Sequence, residues 1–568
     1  MKKFLQKIDG LLITKSIIIL FFVVFLIIPL FSIFMVSFTD APLNFFGSLI
    51  NVDTFQSTID DIKNSTLENY EDIVSRSGYL NSLKNSLILS ISVSIVILIL
   101  CLPVAYGIAR TKMPFKKIIS ALWIIPLVMP TFIASEAITL MFGKTGWVTI
   151  IYNQLGGDGF LFNPYSLLGV AVVQVFFFFP YALWPMVAAF KISDVSLEEG
   201  AKNLGAKNWV TLLFITLPLA IPGILSSILL VFTVSFSDFG SPIILASEEQ
   251  SLLIVDAYRE MTGFFNWGGS AILSLVMVLV ASVFLWLQRI ITKKMDYGVI
   301  SGKPKNSQMN KNKFVTTILS IFSIIIILIP ALGALSILVQ SFATTWGNTL
   351  LPSGFTFDNY TNIISSSSEN MINSLLLATG ALVLSIIIVI PLAYFIVRQN
   401  SGTLDFISSM PLVVPGIAIG IALIVTFNAP PLQLTGTALI LIIAFTIRRL
   451  PYMVRSTVGT MQSIRSDIEE ASINLGASRL TTIITVVGPL LLPGIAAGSL
   501  LVFVTVIKET SISVLMAPAN WAPMTLSIFE FLLRGEHYPA ASMAVIMIVI
   551  VLVLRIIADK LTKGESDS

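Results

Sequence analysis

Residues 198–224 read EEGAKNLGAKNWVTLLFITLPLAIPGI, and residues 469–495 read EEASINLGASRLTTIITVVGPLLLPGI. At a constant offset of 271, 12 of 27 positions are identical, where typical residue frequencies give roughly two. A match of this length marks an internal duplication, and a duplication decides how the rest of a chain is to be read. Outward from it the correspondence continues at slightly different offsets. Asn69-Tyr70 matches Asn359-Tyr360, Asn85-Ser86 matches Asn373-Ser374, Pro103 matches Pro391, Arg110 matches Arg398, and Pro130 matches Pro415.

What surrounds the two copies is apolar. Of 568 residues, 55% are hydrophobic and 11% charged, and the mean hydropathy is +0.92. A soluble globular chain carries about 25% charged residues, so most of this surface must face lipid. Disordered, collagen-like and disulfide-scaffold classes are excluded by the same composition. The single cysteine, Cys101, lies in an apolar run, so the chain holds no internal disulfide and no cysteine zinc set. A net charge of +3 is too small to argue for a nucleic-acid partner.

Apolar runs near 20 residues are the length a membrane helix needs. Twelve are expected, at about 16–38, 83–108, 117–142, 164–190, 219–243, 266–291, 314–341, 371–397, 403–427, 434–456, 491–516 and 538–562. The first follows Lys2, Lys3, Lys7 and Lys15. It is too long for a signal peptide and lacks a small-residue cleavage site, so it is expected to be retained. Six spans fall in each half, which makes the halves parallel, related by a pseudo-twofold axis along the membrane normal, with any pathway between them. The expected fold is therefore an all-α integral membrane protein. A first repeat covers 1–296 and a second covers 314–568. Between them, 297–313 forms a polar linker holding Gly298, Gly302 and Pro304.

Basic residues mark every second loop: the N-terminus, Arg110–Lys117, Lys191–Lys207, Arg289–Lys313, Arg398, Arg448–Arg479 and the stretch after Arg555. The segment after the first span is mostly acidic, with Asp40, Asp53, Asp60, Asp61, Glu68, Glu71 and Asp72 against Lys63 and Arg76. Lys and Arg are retained on the cytoplasmic side, so both termini are expected there, in a cell membrane. The duplicated stretches then become cytoplasmic loops, near 193–218 and 464–489. Ser196 stands three residues before Glu199, and Asp467 three before Glu470, the spacing of a helix cap with a reciprocal acidic partner. Gly205 and Gly476 fall where a short helix would end in the left-handed conformation. A second helical run leads to Pro218 and Pro489.

These residues carry a family resemblance. Glu199-Gly200-Ala201, three residues, Gly205, nine residues and Ile215-x-Leu217-Pro218 resembles the EAA loop of binding-protein-dependent ABC importer permeases. Glu470-Ala471-Ser472, Gly476 and Val486-x-Gly488-Pro489 is a second copy, with Gly200, Ser472 and Gly488 as departures from the pattern. The resemblance implies a permease that supplies both membrane halves of an importer in one chain. It also implies that the loops dock on two cytoplasmic ATPase subunits, that an external binding protein delivers the solute, and that transport follows alternating access. Ser235–Pro242 (SFSDFGSP), Gly263–Leu273 (GFFNWGGSAIL), Arg448–Pro451 (RRLP) and Lys508–Ser511 (KETS) resemble fused permeases of ferric iron importers. Permeases for 2-aminoethylphosphonate and thiamine share parts of that pattern.

No catalytic constellation, cofactor site or metal site is expected. Gly143-Lys144-Thr145 invites a phosphate-loop reading, but the required earlier glycine is Ile138. The single histidine, His537, lies in an outer loop beside Glu536 and Tyr538 and is expected to be solvated. An ion-coupled secondary transporter would couple through ionisable residues within its spans, and these are sparse. A membrane enzyme would need paired catalytic groups. Asp238 and Glu509, equivalent under the 271 offset, stand out with the adjoining Lys508. Each acid lies 16 residues beyond a proline, Pro222 or Pro493. A continuous helix would lift it roughly 24 Å, where an ionisable group is a functional candidate by default. If the helix instead ends near Gly240-Ser241-Pro242, the acids sit at a helix terminus or pair with Lys508.

Overall fold

A computed structural model describes residues 10–39, 43–63, 66–192, 195–294 and 312–563. The side chains of 192, 195, 196, 288, 289, 291–294 and 557–563 lie outside the description. Most of the expected linker 297–313 therefore falls outside it. Among the described residues the chain is helical, with one isolated β-bridge, Ala343 with Phe355.

In chain order the helices used below are α1 (Gly10–Val36), α2 (Ser77–Arg110), α3 (Lys116–Val128), α4 (Thr131–Gln154) and α5 (Leu167–Lys191). They continue with α6 (Val195–Asn203), α7 (Asn208–Phe236), α8 (Gly240–Leu245), α9 (Leu253–Thr262) and α10 (Trp267–Lys294). The second half gives α11 (Lys313–Ser341), α12 (Asp358–Arg398), α13 (Gly402–Leu412), α14 (Gly416–Phe427) and α15 (Ala438–Ser463). It ends with α16 (Asp467–Asn474), α17 (Arg479–Leu490), α18 (Leu492–Ile507), α19 (Ser511–Met516), α20 (Met524–Leu533) and α21 (His537–Lys563). Among the described residues, eight helices are long and apolar enough to cross a membrane, and the number rises to 11 if each sharply bent pair counts as one span. The expected run missing from that number is the tenth, 434–456, which forms α15, whose Arg448, Arg449 and Arg455 lower its apolarity. Large apolar side chains such as Ile99 and Ile387, each 63% exposed, point out of the described fold, as a lipid-facing surface requires.

The third span of each half is not the straight helix expected. α3 and α4 meet at 110°, and α13 and α14 at 106°. Pro130 and Pro415, matched in the sequence, precede the second arm of each pair with extended ψ values of 149° and 147°. Proline lacks the N–H that would continue the ladder and disfavours helical geometry in the residue before it. Met129 accordingly has ψ 126°.

Two compact units arise. One comprises Ser77–Val255 and Leu279–Thr356, the other Met1–Arg76, Asp256–Val278 and Phe357–Ser568. In the first, α11 packs against α4, and a Cβ on Gly333 would stand 3.2 Å from that of Ala137. In the second, α1 packs against α14, with Phe25 stacked on Phe427 at 5.5 Å between centroids. The first span of each sequence half thus packs with helices from the other half. Within each unit the fourth and fifth spans approach closely at one repeated glycine. A Cβ on Gly223 would lie 2.4 Å from that of Ala189, and one on Gly494 would lie 2.3 Å from the Thr460 hydroxyl. Small residues permit such backbone approach where lipid supplies no hydrophobic drive.

Candidate coupling loops and buried acids

The duplicated loops fold alike. The turn that stops α6 contains Gly205, φ +86°, and the one that stops α16 contains Gly476, φ +96°. Gly205 N–H donates to the Lys202 carbonyl at 2.9 Å and Ala206 N–H to the Ala201 carbonyl at 3.0 Å. Gly476 and Ala477 repeat this onto Ile473 and Ser472 at 2.9 and 3.2 Å. These are the paired bonds of a Schellman termination, which favours glycine in the left-handed position. The turn strands one leucine at each tip, Leu204 at 91% and Leu475 at 90% exposure. Leu197 and Ile468, again 271 apart, are also exposed.

The expected caps differ. α16 begins at Asp467, so Asp467 lies in the first turn, where it pairs with Arg465 at 2.5 Å, and the flanking Ser466 makes no side-chain cap bond. In the first repeat α6 begins at Val195, and the side chain of Ser196 lies outside the described residues. Of the sequence-selected loop residues, Glu470 and Ala471 are exposed, as is Gly200, while Glu199, Ala201 and Ser472 are half-buried. Ser472 Oγ lies 3.0 Å from Thr482 Oγ1, which ties α16 to α17.

Sequence reasoning passed over the neighbouring acids. Glu198 Oε1 lies 3.3 Å from the guanidinium of Arg110, the last residue of α2, and accepts from Thr216 Oγ1 at 2.9 Å. Glu469 Oε1 accepts from Arg398 Nε, the last residue of α12, at 2.7 Å. Arg398 also donates to the Ile464 carbonyl at 2.7 Å. The repeated Arg110 and Arg398 were the available signal. Beyond each loop the chain enters a π-helical turn, Leu212–Thr216 and Ile483–Val487, at positions again 271 apart. Such turns are uncommon and concentrate at functional segments.

The fifth span stops before the acids. α7 ends at Phe236 and α8 starts at Gly240; α18 ends at Ile507 and α19 starts at Ser511. Asp238, 8% exposed, accepts from Thr131 Oγ1 at 2.7 Å, from Gln174 Nε2 at 3.1 Å, from the Ser241 hydroxyl, and from Ser241 N–H at 3.4 Å. Glu509, 3% exposed, lies between Arg448, at 3.1 Å, and Arg449, and reaches Ile512 N–H at 3.5 Å. Ser241 and Ile512 are equivalent positions, so each acid holds the first turn of the short helix after the break. The RRLP and KETS stretches thereby meet through Glu509. Lys508, half-buried, closes α18. In the GFFNWGG stretch, Asn266 accepts from Gly269 N–H at 2.9 Å and donates to Glu260 at 2.7 Å, which starts α10. His537 is exposed at the start of α21, and among the described residues no three His, Cys, Asp or Glu side chains converge as a metal site would.

A duplicated bundle of membrane helices, with one glycine-terminated loop repeated in each half, defines a multi-pass permease of fused two-repeat build. The chain belongs to the family of binding-protein-dependent transport system inner membrane components, whose pattern it matches twice, over residues 101–297 and 398–566. It is similar to the ferric transport system permease protein FbpB of Actinobacillus pleuropneumoniae, with 27% identity over 85% of this chain and 71% of that one. It is 28% identical to FbpB 1 of Haemophilus influenzae, described as a permease of the same system, over 79% of this chain and 72% of that one. A Salmonella paratyphi A protein described as a 2-aminoethylphosphonate transport system permease, PhnV, is 25% identical over 40% of this chain and 87% of its own length. The protein is a transport permease, a membrane subunit of the ABC importer type.

Proposed function

We propose that this chain forms the complete transmembrane pathway of an ATP-driven importer, with repeats at 1–296 and 314–568, and that its solute is ferric iron handed over by an external binding protein. Two cytoplasmic ATPase subunits would seat on the loops at 193–218 and 464–489, with both termini cytoplasmic. The observation that carries this is the twin loop tip: Leu204 and Leu475 stand about nine-tenths exposed on rigid glycine turns. An apolar side chain held in that way is well suited to a partner's pocket. The Glu199-Gly200-Ala201 and Glu470-Ala471-Ser472 faces would complete the contact. Replacing Leu204 and Leu475 with Asp should release the ATPase subunits from the purified complex at unchanged membrane abundance. Full retention of the ATPase would contradict the assignment.

Iron is favoured by the FbpB relatives, which align along most of both chains. A pore for iron should also avoid ligands that trap it, and this chain has one Cys and one His. The PhnV relative supports 2-aminoethylphosphonate as the second reading. Reconstituted complex that moves iron supports the first; movement of 2-aminoethylphosphonate without iron reverses the order. Asp238, Lys508 and Glu509 are candidates for the pathway as ionisable groups at the breaks that end the fifth-span helices. Their bonding equally suits a structural part at the helix break.

A further inference from the structure

The second span of each half is bonded at both ends in the same way. α2 runs unbroken from Ser77 to Arg110, and α12 continues to Arg398 beyond a kink at Ser367. At the inner ends Arg110 meets Glu198 of one loop, and Arg398 meets Glu469 of the other. At the far ends Ser86 Oγ accepts from Leu253 N–H at 2.9 Å, and Ser374 Oγ accepts from Met524 N–H at 2.7 Å. Beside them Asn85 donates to the Ser251 carbonyl at 3.2 Å, and Asn373 donates to those of Asn520 and Ala522 at 3.2 and 3.3 Å. The bonded residues are the first turns of α9 and α20 and the segments leading into them. Asn85 and Arg110 are 25 residues apart, as are Asn373 and Arg398, with Pro103 and Pro391 at the same place between. At helical rise this is about 38 Å, the thickness of a bilayer's apolar core and part of its interface.

We propose that α2 and α12 act as matched struts that carry movement of the two loops to the opposite face of the membrane, with Arg110–Glu198 and Arg398–Glu469 as positioning pairs at the inner end and Asn85-Ser86 and Asn373-Ser374 at the outer end. The proposal rests on the ATPase-docking role given above for the loops. The other route from a loop into the membrane passes through a π-helical turn, and in the second half through a further 72° bend. A helix so interrupted transmits displacement poorly, whereas the strut engages the loop through a buried ion pair. Glu198 faces the strut while the adjacent Glu199 belongs to the docking face, so one short helix would read the ATPase on one side and move the span on the other.

The test uses the full chain with its co-purified ATPase, a Cys101→Ala background, and a Glu248→Cys reporter on the exposed segment before Ser251. Maleimide labelling at position 248 is timed with and without a non-hydrolysable ATP analogue. The analogue should change the labelling rate by at least about fivefold, the lower range of allosteric coupling. Arg110→Gln should abolish that change while the ATPase still co-purifies. Arg110→Lys, which can still reach one carboxylate oxygen, should restore it. Asn85→Ala with Ser86→Ala, which removes both outer bonds and leaves the ion pair intact, should abolish it as well, and decides the matter if Arg110→Gln fails to accumulate. A response that persists in either variant, or none in the parent complex, overturns the strut. Failure of any ATPase to co-purify with the parent overturns the docking role instead.

Discussion

At the scale of single residues, the two acids just beyond the fifth-span helices occupy equivalent positions in unlike surroundings. Asp238 is held by hydroxyl, amide and backbone donors, and Glu509 by two guanidinium groups. Glu509→Gln takes the carboxylate away from Arg448 and Arg449, and breaking a buried pair costs about 3–5 kcal/mol. Asp238→Asn can keep its amide oxygen toward Gln174 and Ser241 and turn its N–H2 toward the Thr131 hydroxyl, which can accept, for a smaller cost of about 1–3 kcal/mol. Thermal unfolding of the solubilised protein should therefore show the larger loss for Glu509→Gln, and the reverse order would refute the assigned bonding. Gly205 and Gly476 make a different demand. Valine at positive φ costs about 1–3 kcal/mol at each site and would swing the exposed leucines out of place. Gly205→Val with Gly476→Val should leave the chain in the membrane and abolish binding-protein-stimulated ATP hydrolysis; normal stimulation would reduce the loops to connectors.

At the scale of elements, what is legible in the sequence is repetition. The loop helices, their glycine stops and the prolines of the third spans all stand out as matched residues in the two halves of the chain. Facing is not legible. Glu198 and Glu199 are neighbours in sequence but lie about 100° apart around a helix, and only the fold assigns Glu198 to Arg110. The start of α16 differs from the expected cap because Asp467 suits a cap and a first turn equally well. The exchange of first spans between the compact units is hidden too, since a uniformly apolar helix carries no periodic mark of its partner. The repeats also differ in one testable bond. Thr216 donates to Glu198, whereas the equivalent residue is Val487. Thr216→Val should lower thermal stability by about 0.5–1.5 kcal/mol, and Thr216→Ser, which keeps the hydroxyl, should lower it less. An equal loss in the two variants would show that the hydrogen bond is not what stabilises the first loop.

At the scale of the whole molecule, the duplication gives the chain two copies of one loop, and under the proposed function each copy takes one ATPase subunit. Orientation can be tested with Lys2→Cys, Asn306→Cys and Ser566→Cys in a Cys101→Ala background; these positions lie outside the described residues. None should react with an impermeant thiol reagent in intact cells, and labelling at any one would reverse that end of the topology. The measurement that bears most directly on the proposed function is the composition of the complex drawn from native membranes through this chain. The twin loops predict two ATPase subunits for each 61.9 kDa permease, with both lost when Leu204 and Leu475 become Asp. A chain that purifies alone in a transport-competent state, or keeps its full ATPase complement without those leucines, would contradict it.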